Sequence, residues 1–530
     1  MQIYSFSPFG YEGSLVSVEV DLRRGIPATD LVGLADSAVK EARERMQAAI
    51  RNSGFDYPSE RVLISLSPAD LKKEGAGFDL PIALSVLFSQ AKEKFSQKDN
   101  SPVLVMGELE LSGRIRPVKG VHAAASTAVA FGITRCIVPE ANCEEARDVG
   151  GMKVFGAKTL EDAFSALENP EVFAAQAEKQ FDFTEIPEDC EDIEGVLFQK
   201  VKPELEFSEV RGQSSLVKAL QIAAAGGHNL IAVGAPGCGK TMAIQKFLGL
   251  LPLLTIEEAQ PVTRILSLAG LLRTDSAPNR IPPFRMPHQT ASIEGICGGG
   301  PHCRPGEVSL AHNGVLFLDE ASEFRTSVLQ MLRVPLENGQ ITLSRAGRST
   351  VFPARFQLLM ATNPCPCGNY GSPAKVCLCS ARAIDLFWKK FSAPLLDRVD
   401  LRVHVVNEND FSDKNTKNEP SKFFNGKTSV STAELRKGIA NAVKVQRARQ
   451  GKKNAFLSPS EIADFCALDV SLKNMLDKSV ERYGFSPRAV SSILKVARTF
   501  ADIDCSKDIR AEDLKSAVEF RKIDFMDGSL

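Results

Sequence analysis

One short segment constrains the fold of this 530-residue chain more than any other. The apolar run at 230–233 leads directly into GAPGCGKT, which fits the pattern G-x-x-x-x-G-K-[ST] at every fixed position. In that pattern glycines let backbone N–H groups surround phosphates, and the next helix begins with its positive end toward them. The segment therefore predicts an α/β domain that binds a nucleoside triphosphate. Its predicted ATP-binding residues are Gly234, Ala235, Pro236, Gly237, Cys238, Gly239, Lys240 and Thr241.

A second apolar run, residues 315–318, ends in the acidic pair Asp319 and Glu320. In nucleotide hydrolases one such carboxylate holds Mg²⁺ and a second polarises the attacking water. We therefore expect Lys240 to reach the outer phosphates, and Thr241 to share the Mg²⁺ ion with Asp319. Glu320 is the predicted catalytic base.

Composition argues against a membrane protein and against a chain coated in positive charge. No run of 18 uncharged apolar residues is present, as a membrane-spanning helix would require. The 64 Lys and Arg residues are balanced in number by 65 Asp and Glu residues. A net charge of −1 leaves open a basic channel inside an assembly. The N-terminus lacks the pattern of a secretion signal, so we expect a cytoplasmic protein with reduced cysteines.

Changes of composition divide the chain into five predicted parts. A stretch rich in Asp and Glu precedes the nucleotide-binding domain, and a stretch rich in Asn, Asp, Lys and Ser follows it. Two capping boxes, Ser431 with Glu434 and Ser458 with Glu461, predict helices near the end. The parts are a first domain at 1–170, an acidic linker at 171–205, the ATPase core at 206–406, a flexible insertion at 407–430 and a helical lid at 431–530.

The order of further motifs resembles that of an AAA+ ATPase. Asn363 closes an apolar strand, Arg398 ends the segment LLDR, and Arg488 begins a late helix. More narrowly, the segments PFRMPH at 283–288 and NPCPCG at 363–368 resemble the ComM/YifB family of magnesium-chelatase-like ATPases. The segment RPGEVSLAHNG and the preceding triple glycine resemble it too, and the match runs over nearly the whole chain.

The resemblance implies a role for each of these polar residues. Asn363 is the expected sensor 1, which orients the water with Glu320; Arg398 is the expected arginine finger, offered to a neighbouring subunit. Arg488 is the expected sensor 2, reading the nucleotide from the lid. The alternatives are a turn cap, a surface ion pair and a solvated helix cation, respectively. A finger supplied in trans requires a head-to-tail ring, and the family implies a homohexamer.

Four cysteines lie between the predicted sensor 1 and the predicted finger. Cys365 and Cys367 are followed, after nine intervening residues, by Cys377 and Cys379. Four thiols in fifteen residues of a cytosolic chain predict a structural Zn²⁺ site, although C-x-C pairs are tighter than the usual zinc spacing. The alternative is four unliganded thiols in a loop.

Two segments are candidates for loops that face the pore of a ring. The long gap between Lys240 and Asp319 contains several glycines, so we expect a loop inserted in the helix after the second strand, as in chelatase-like relatives. Residues 337–348 contain Asn-Gly and Ala-Gly among alternating apolar residues and predict a hairpin. Its Arg345 and Arg348 either contact nucleic-acid phosphates or form ion pairs across a subunit interface.

The first domain resembles the proteolytic domain of Lon over residues 68–84 and 107–118. This resemblance implies an α+β fold similar to ribosomal protein S5. Proteolysis of the Lon type needs a serine activated by a lysine. The serine position falls at Gly75 or Gly77 and the lysine position near His122, so we expect no peptidase activity.

Two classes of function remain. In the first, the chain is an ATP-driven ring motor on single-stranded or branched DNA, resembling a branch-migration helicase used in recombination and natural transformation. In the second, it remodels a protein partner, as the ATPase subunit of magnesium chelatase does. The first domain favours DNA, because chelatase ATPase subunits are not expected to carry it. A basic run also suits phosphate contact, or forms a solvated helix face: Arg436, Lys437, Lys444, Arg447, Arg449, Lys452 and Lys453.

One departure from the family concerns a histidine pair. The family commonly has two adjacent histidines where this chain has His288 and Gln289. A role that needs two imidazoles is therefore not expected here.

Overall fold

The structure is a computed structural model. It describes residues 2–34, 37–69, 71, 73, 75–91, 101–177, 188–272, 280–300, 303–345, 348–371, 375–405 and 429–522. The predicted insertion at 407–430 lies outside these residues except for its last two, and so does the middle of the predicted linker. No helix within the described ranges is long and apolar enough to cross a membrane.

The first domain is built on a seven-stranded mixed sheet. Its strands follow the order β3-β4-β2-β1-β5-β8-β9, with β6 and β7 paired separately. The strands are β1 Ile3–Ser7, β2 Ser14–Arg23, β3 Thr29–Val32, β4 Arg61–Ser67, β5 Val103–Val105, β6 Glu108–Leu109, β7 Ile115–Arg116, β8 Arg135–Pro139 and β9 Lys153–Ala157. The helices are α1 Ser37–Asn52, α2 Asp79–Gln90, α3 Val121–Ala130, α4 Cys143–Arg147, α5 Leu160–Glu168 and α6 Pro170–Ala177.

Helix α2 lies at the centre of this domain because it is apolar on almost every side. Every residue from Asp79 to Leu87 is buried. The one acid among them, Asp79, accepts two hydrogen bonds from the Arg45 guanidinium, at 2.9 and 3.0 Å. Burial raises the pKa of Asp79, and this hydrogen-bonded arginine opposes the rise.

The predicted linker is in part a packed element. Residues 190–193 and 196–199 form the hairpin β10 Cys190–Ile193 and β11 Val196–Gln199. Val196 and Phe198 are buried in the core of the ATPase domain. The predicted linker thus includes a packed hairpin, in which the acidic residues lie on β10 and buried positions alternate with partly buried ones on β11.

The ATPase core has a five-stranded sheet in the order β13-β16-β19-β12-β20, and every pair is parallel. Its strands are β12 Leu230–Gly234, β13 Phe284–Arg285, β16 Val315–Leu318, β19 Gln357–Thr362 and β20 Leu401–Val405. Two hairpins are added, β14 Gly298–Gly299 with β15 Arg304–Pro305 and β17 Gln340–Arg345 with β18 Arg348–Pro353. The helices are α7 Ser214–Gly226, α8 Lys240–Gln245, α9 Ile256–Ala269, α10 Ile293–Cys297, α11 Glu307–Leu310, α12 Thr326–Met331, α13 Arg333–Asn338, α14 Ala381–Lys389 and α15 Ala393–Leu396.

Strands β12, β16 and β19 are buried along their whole length, which explains their continuous apolar sequence. Between the second and third strands of this sheet, hairpin β14–β15 separates α10 from α11. The glycine-rich insert expected from the sequence lies at this point. Whether it faces a pore stays a prediction.

The lid consists of α16 Thr432–Gln450, α17 Pro459–Phe465, α18 Val470–Tyr483, α19 Pro487–Ile503 and α20 Ala511–Arg521. Both predicted capping boxes are confirmed at the starts of α16 and α17. The lid is not a separate body, since Leu435, Ile439 and Val443 of α16 belong to the same buried cluster as α7 and β12.

A buried polar network holds the lid helices to one another. The Asp502 carboxylate is fully buried and accepts hydrogen bonds from Arg449 at 2.8 and 2.9 Å, from Arg498 at 3.0 Å and from Asn454 at 2.8 Å. These donors come from α16, α19 and the turn after α16. One carboxylate therefore joins three parts of the lid.

The first domain docks on the ATPase core through α9, which packs against α3. Gln260 lies 3.0 Å from the His122 ring and donates to the Asp148 carbonyl at 2.8 Å. Arg264 donates to the Tyr11 carbonyl at 3.0 Å and lies over the Tyr11 ring. The two domains therefore share a polar interface with defined geometry.

Candidate nucleotide site

Two of the predicted catalytic residues, Glu320 and Asn363, lie at the same edge of the ATPase sheet as the phosphate loop. The phosphate loop follows β12, Asp319 and Glu320 follow β16, and Asn363 follows β19. Because these three strands are parallel neighbours, their carboxyl ends lie side by side. This is the edge at which open parallel sheets bind ligands.

The phosphate loop has the backbone that its glycines predict. Gly237 and Gly239 have φ of 81° and 84°, a region that side chains disfavour. The Lys240 ammonium donates to the Gly234 and Ala235 carbonyls at 2.7 and 2.9 Å and lies 3.6 Å from the Cys238 sulfur. The lysine is thus held over the concave side of the loop by groups of the loop itself.

Thr241 and Asp319 come together as the sequence predicts. The Thr241 hydroxyl donates to the Asp319 carboxylate at 3.0 Å. Both side chains end in oxygen, the donor atom that Mg²⁺ prefers. The pair therefore fits a divalent cation beside the phosphate loop.

Glu320 has a strained backbone, with φ of 47°, in the left-handed region that residues other than glycine rarely occupy. Its backbone N–H donates to the Asp319 carboxylate at 3.0 Å. Its exposed carboxylate accepts a hydrogen bond from the Gln289 side-chain amide. The sequence singled out Gln289 only as a departure from the family, and the structure makes it a direct partner of the predicted base.

Asn363 is half-buried and precedes the four-cysteine loop. Gly368 of that loop lies so close to the phosphate loop that an added Cβ would meet the Pro236 ring at 2.6 Å. The Trp388 indole donates to the Pro364 carbonyl at 3.1 Å and is fully buried. The cysteine loop is therefore packed between the tryptophan and the ATP site.

The four cysteines form one cluster, and their sulfur atoms all lie within 4.8 Å of one another. Cys365 is buried, and Cys367 is exposed. A hydrogen bond from the Asn369 backbone, and then one from Cys365, lower the pKa of Cys367 to about 6. Four clustered thiols match the donor set of a structural zinc site.

The predicted arginine finger, Arg398, and the predicted sensor 2, Arg488, converge on a single acid. The Arg398 guanidinium forms an ion pair with the Glu337 carboxylate, and Arg488 lies 3.7 Å from the other oxygen of the same carboxylate. Arg398 pairs with neither Asp397 nor Asp400 among the described residues; Arg521 binds Asp397, and His228 lies 3.4 Å from Asp400. Arg398 and Arg488 therefore lie side by side on one face, and their roles stay predictions.

The hairpin predicted to carry Arg345 and Arg348 exists as β17–β18, with the two arginines opposite each other at its turn. The Asn-Gly pair is not part of that turn, since Gly339 instead ends α13 in the left-handed conformation. The Arg348 guanidinium lies 3.6 Å above the Phe9 ring of the first domain. The Arg345 side chain lies outside the described residues, and contact with nucleic acid stays a prediction for both.

Part of the basic run serves the interior of the protein, contrary to the prediction of a phosphate-binding or solvated face. Arg436 is buried and bonds the Gly249 carbonyl and Glu191. Arg449 binds Asp502, and Lys452 binds Glu461 at 2.8 Å. Periodicity had not revealed this, because these partners lie far along the chain or in the next helix. Lys437 and Lys444 are exposed.

The first domain holds no serine–lysine dyad at the two positions named from the sequence. His122 is buried against Gln260 and lies 3.3 Å from Asp148, so it belongs to the interface between domains. Gly75 and Gly77 lie before α2.

Comparison with known families defines the class of protein. The family described as magnesium chelatase, subunit ChlI, matches residues 206–412, and its C-terminal family matches 429–521. A further family, described as subunit ChlI of Mg-chelatase, matches 18–142. The chain is thus a magnesium-chelatase-like protein. Since the third description also names a chelatase subunit, the first domain does not by itself separate the two classes of function.

Full-length relatives then narrow the class. The chain is 37% identical to YifB of Escherichia coli over 526 residues and 38% identical to competence protein ComM of Haemophilus influenzae over 521 residues. Each alignment covers 98% of this chain and 97% of the relative. The magnesium-chelatase 38 kDa subunit of Rhodobacter capsulatus is 28% identical over 181 residues, which is 31% of this chain and 52% of that protein. The chain belongs to the ComM/YifB family of magnesium-chelatase-like proteins.

Proposed function

We propose that this protein is a cytoplasmic ATPase that forms a ring and uses ATP hydrolysis to move DNA, as a branch-migration motor does. The hydrogen bond between Thr241 and Asp319, at the carboxyl edge of the sheet and next to the phosphate loop, carries the hydrolytic part. The full-length similarity to a competence protein supports the DNA part.

Each polar group at the edge has a task in this proposal. When ATP binds, the Lys240 ammonium leaves the loop carbonyls and donates hydrogen bonds to the outer phosphates. Hydrogen bonds to these charged oxygens are stronger than those to neutral carbonyls. Thr241 and Asp319 hold Mg²⁺, which neutralises phosphate charge when bound. Glu320 accepts a proton from the attacking water, and Asn363 orients that water.

Arg398 completes the site from a neighbouring subunit, and Arg488 is the proposed sensor 2, which reads the nucleotide from the lid. Arg398 serves as the finger that stabilises charge on the transferred phosphoryl group. Arg488 lies beside it on Glu337, which is consistent with both residues acting on nucleotide at a subunit interface. A contact of this kind repeats from subunit to subunit and closes a ring, for which a hexamer is the proposed size.

The four-cysteine loop is proposed to hold a structural Zn²⁺. Its sulfur atoms are already gathered, and Gly368 presses the loop against the phosphate loop. Zinc bound there would fix the position of Asn363 and of Pro236 together.

The first domain is proposed to have a Lon-like fold without peptidase activity. Its buried His122 contacts the ATPase core rather than a peptide site. Its role in this proposal is to position the ATPase core within the assembly.

A second candidate is remodelling of a protein partner. The partial similarity to a magnesium-chelatase subunit favours it. It predicts hydrolysis that responds to a protein and not to DNA.

The test is ATP hydrolysis by the purified protein alone, with single-stranded DNA and with a four-way junction. Wild-type hydrolysis should rise with DNA, and Glu320→Gln should bind ATP but lose turnover by at least about 100-fold. Glu323→Gln is the matched control, because Glu323 is an exposed acid in the same turn. Hydrolysis that ignores DNA would eliminate the motor and favour the remodeller.

A further inference from the structure

A large cleft lies on the opposite side of the ATPase sheet from the nucleotide site. Its volume is about 1100 Å³. It is lined by the residues that begin β16 and β19, by Gly227 before β12, by the end of α16 and by Tyr11 of the first domain. Because ATP is expected at the carboxyl ends of these strands, the cleft at their amino ends is a separate site.

The walls of the cleft carry a group of cations and an exposed aromatic ring, here called the basic cleft. Its members are Arg280, Arg355, Arg447, Lys453 and Phe456. Arg355 lies 5.4 Å from the centre of the Phe456 ring, which is 38% exposed. Proteins that bind single-stranded nucleic acid combine cations with accessible aromatic rings. The cations contact phosphates, and a base stacks on the ring.

Among the described residues, the cations of the basic cleft form no ion pair or hydrogen bond with an acid, although the charge of Glu258 acts on Lys453 and Arg447. Within the described part of the chain, the Lys453 ammonium has no hydrogen bond or ion pair. Arg447 and Arg280 donate only to backbone carbonyls, those of Leu253 and Leu254. Burial lowers the pKa of both Lys453 and Arg447, and the charge of Glu258 opposes that fall.

Of the three acids in the lining, Glu258 partly compensates the charge of Lys453 and Arg447, but it forms no ion pair with either in the described part of the chain. Glu258 caps α9 by accepting from the Thr255 backbone at 3.0 Å, and Glu12 lies 3.6 Å from Arg264. Glu257 is exposed at the start of α9. Burying these cations costs free energy because they lose water. An anion that enters the cleft would offset this cost by pairing with them.

The size of the cleft favours a chain over a single small molecule. Small-molecule pockets usually measure about 300–1,000 Å³. We propose that the basic cleft binds a segment of single-stranded DNA, with phosphates on Arg447 and Lys453 and a base stacked on Phe456. This inference rests on the proposed DNA motor and gives it a strand-binding site that is lined in part by Gln340, Val351 and Pro353 of the β17–β18 hairpin but not by the hairpin's two arginines.

The test is fluorescence anisotropy with a fluorescein-labelled 20-nucleotide oligothymidylate over a series of salt concentrations. The double variant Arg447→Gln/Lys453→Gln should weaken binding at least about tenfold and reduce the salt slope by about 1.4, since each phosphate contact on a single strand contributes about 0.7. Phe456→Leu should weaken binding at least about fivefold with little change of slope. The matched control is Lys437→Gln/Lys444→Gln, which removes the same charge from exposed positions of α16.

The outcomes separate this inference from the proposed function. If the wild type, the control and the cleft variants bind the oligonucleotide equally well, the cleft is not the DNA-binding site. The proposed DNA motor is unaffected by that result. A wild-type protein that binds no oligonucleotide refutes the motor and the cleft together. A third outcome concerns mononucleotides and is measured in Lys240→Ala, which removes the phosphate-loop lysine. If this variant still binds a fluorescent ATP analogue and loses that binding when Lys453→Gln is added, the cleft is a mononucleotide site. That result would overturn the proposal of a bound DNA strand.

Photo-crosslinking of the wild type keeps the inference testable if the double variant does not fold. An oligothymidylate containing 5-iodouracil should crosslink to Phe456. Crosslinks found only at other residues would overturn the proposal.

Discussion

Replacing Asp502 by asparagine tests whether the buried network stabilises the lid. Asp502→Asn keeps the shape of the side chain but removes the charge that two arginines share, and it turns an amide toward their N–H groups. Asp502 is fully buried and the Arg498 side chain is 4% exposed, so water does not replace the lost partner. Breaking a buried ion pair from one side costs about 3–5 kcal/mol, and we expect the lid to lose that much stability.

Hydrogen–deuterium exchange of peptides from α16 and α19 measures this loss locally. A loss of 3 kcal/mol or more makes the slowest amides exchange at least about 100-fold faster. Asp504→Asn is the control, because Asp504 is 51% exposed and pairs with the surface residue Arg510. It should cost less than about 1 kcal/mol. A loss below about 1 kcal/mol for Asp502→Asn would show that the lid does not depend on this carboxylate.

Three further predictions concern metal, pH and the arginine pair. Cys377→Ser should reduce zinc content, measured by elemental analysis, from one ion per chain to nearly none, whereas Cys505→Ser, at an exposed cysteine outside the cluster, should leave it unchanged; a metal-free wild type would contradict the zinc site. Burial, and then the charge of a neighbouring arginine, lower the pKa of His312 to about 4, so the folded state resists a proton that the unfolded state binds below pH 6.5. Stability should therefore fall by roughly 3 kcal/mol between pH 7 and pH 4 relative to His312→Gln, and equal pH profiles in urea denaturation would disprove this. Glu337→Gln frees Arg398 from a half-exposed ion pair worth about 0.2–1 kcal/mol, so that Glu337 no longer competes with ATP for this arginine. The KM for ATP in the assembled ring should therefore fall up to about fivefold. A rise in KM would refute this competition.

Motifs that depend on neighbouring residues were predictable from the sequence. The phosphate loop, the strand that ends in Asp319 and the capping boxes are each set by local geometry, and each lies where the sequence places it. The mixed α/β class with a parallel sheet also followed from these strands.

Contacts between distant residues were not predictable in this way. Gln289 reaches Glu320 across 31 positions, and Arg348 reaches Phe9 of another domain. The cations of α16 and of the turn after it looked equivalent in sequence, yet Arg436 contacts interior groups while Lys453 lines a cleft. Charge and periodicity predict which side chains share a face of a helix. They do not predict which other element of the fold packs against that face.

The position of Trp388 gives this protein a built-in optical probe. It is the chain's one tryptophan, and its indole N–H is bonded to the carbonyl just before the cysteine loop. The ring also packs against Phe387 and Phe391 in a site closed to water. Intrinsic tryptophan emission of the unlabelled protein therefore comes from one place, where the indole holds Pro364 of the segment that also contains Gly368, the neighbour of the phosphate loop. A red shift on chelation or nucleotide addition would follow movement of that loop in real time.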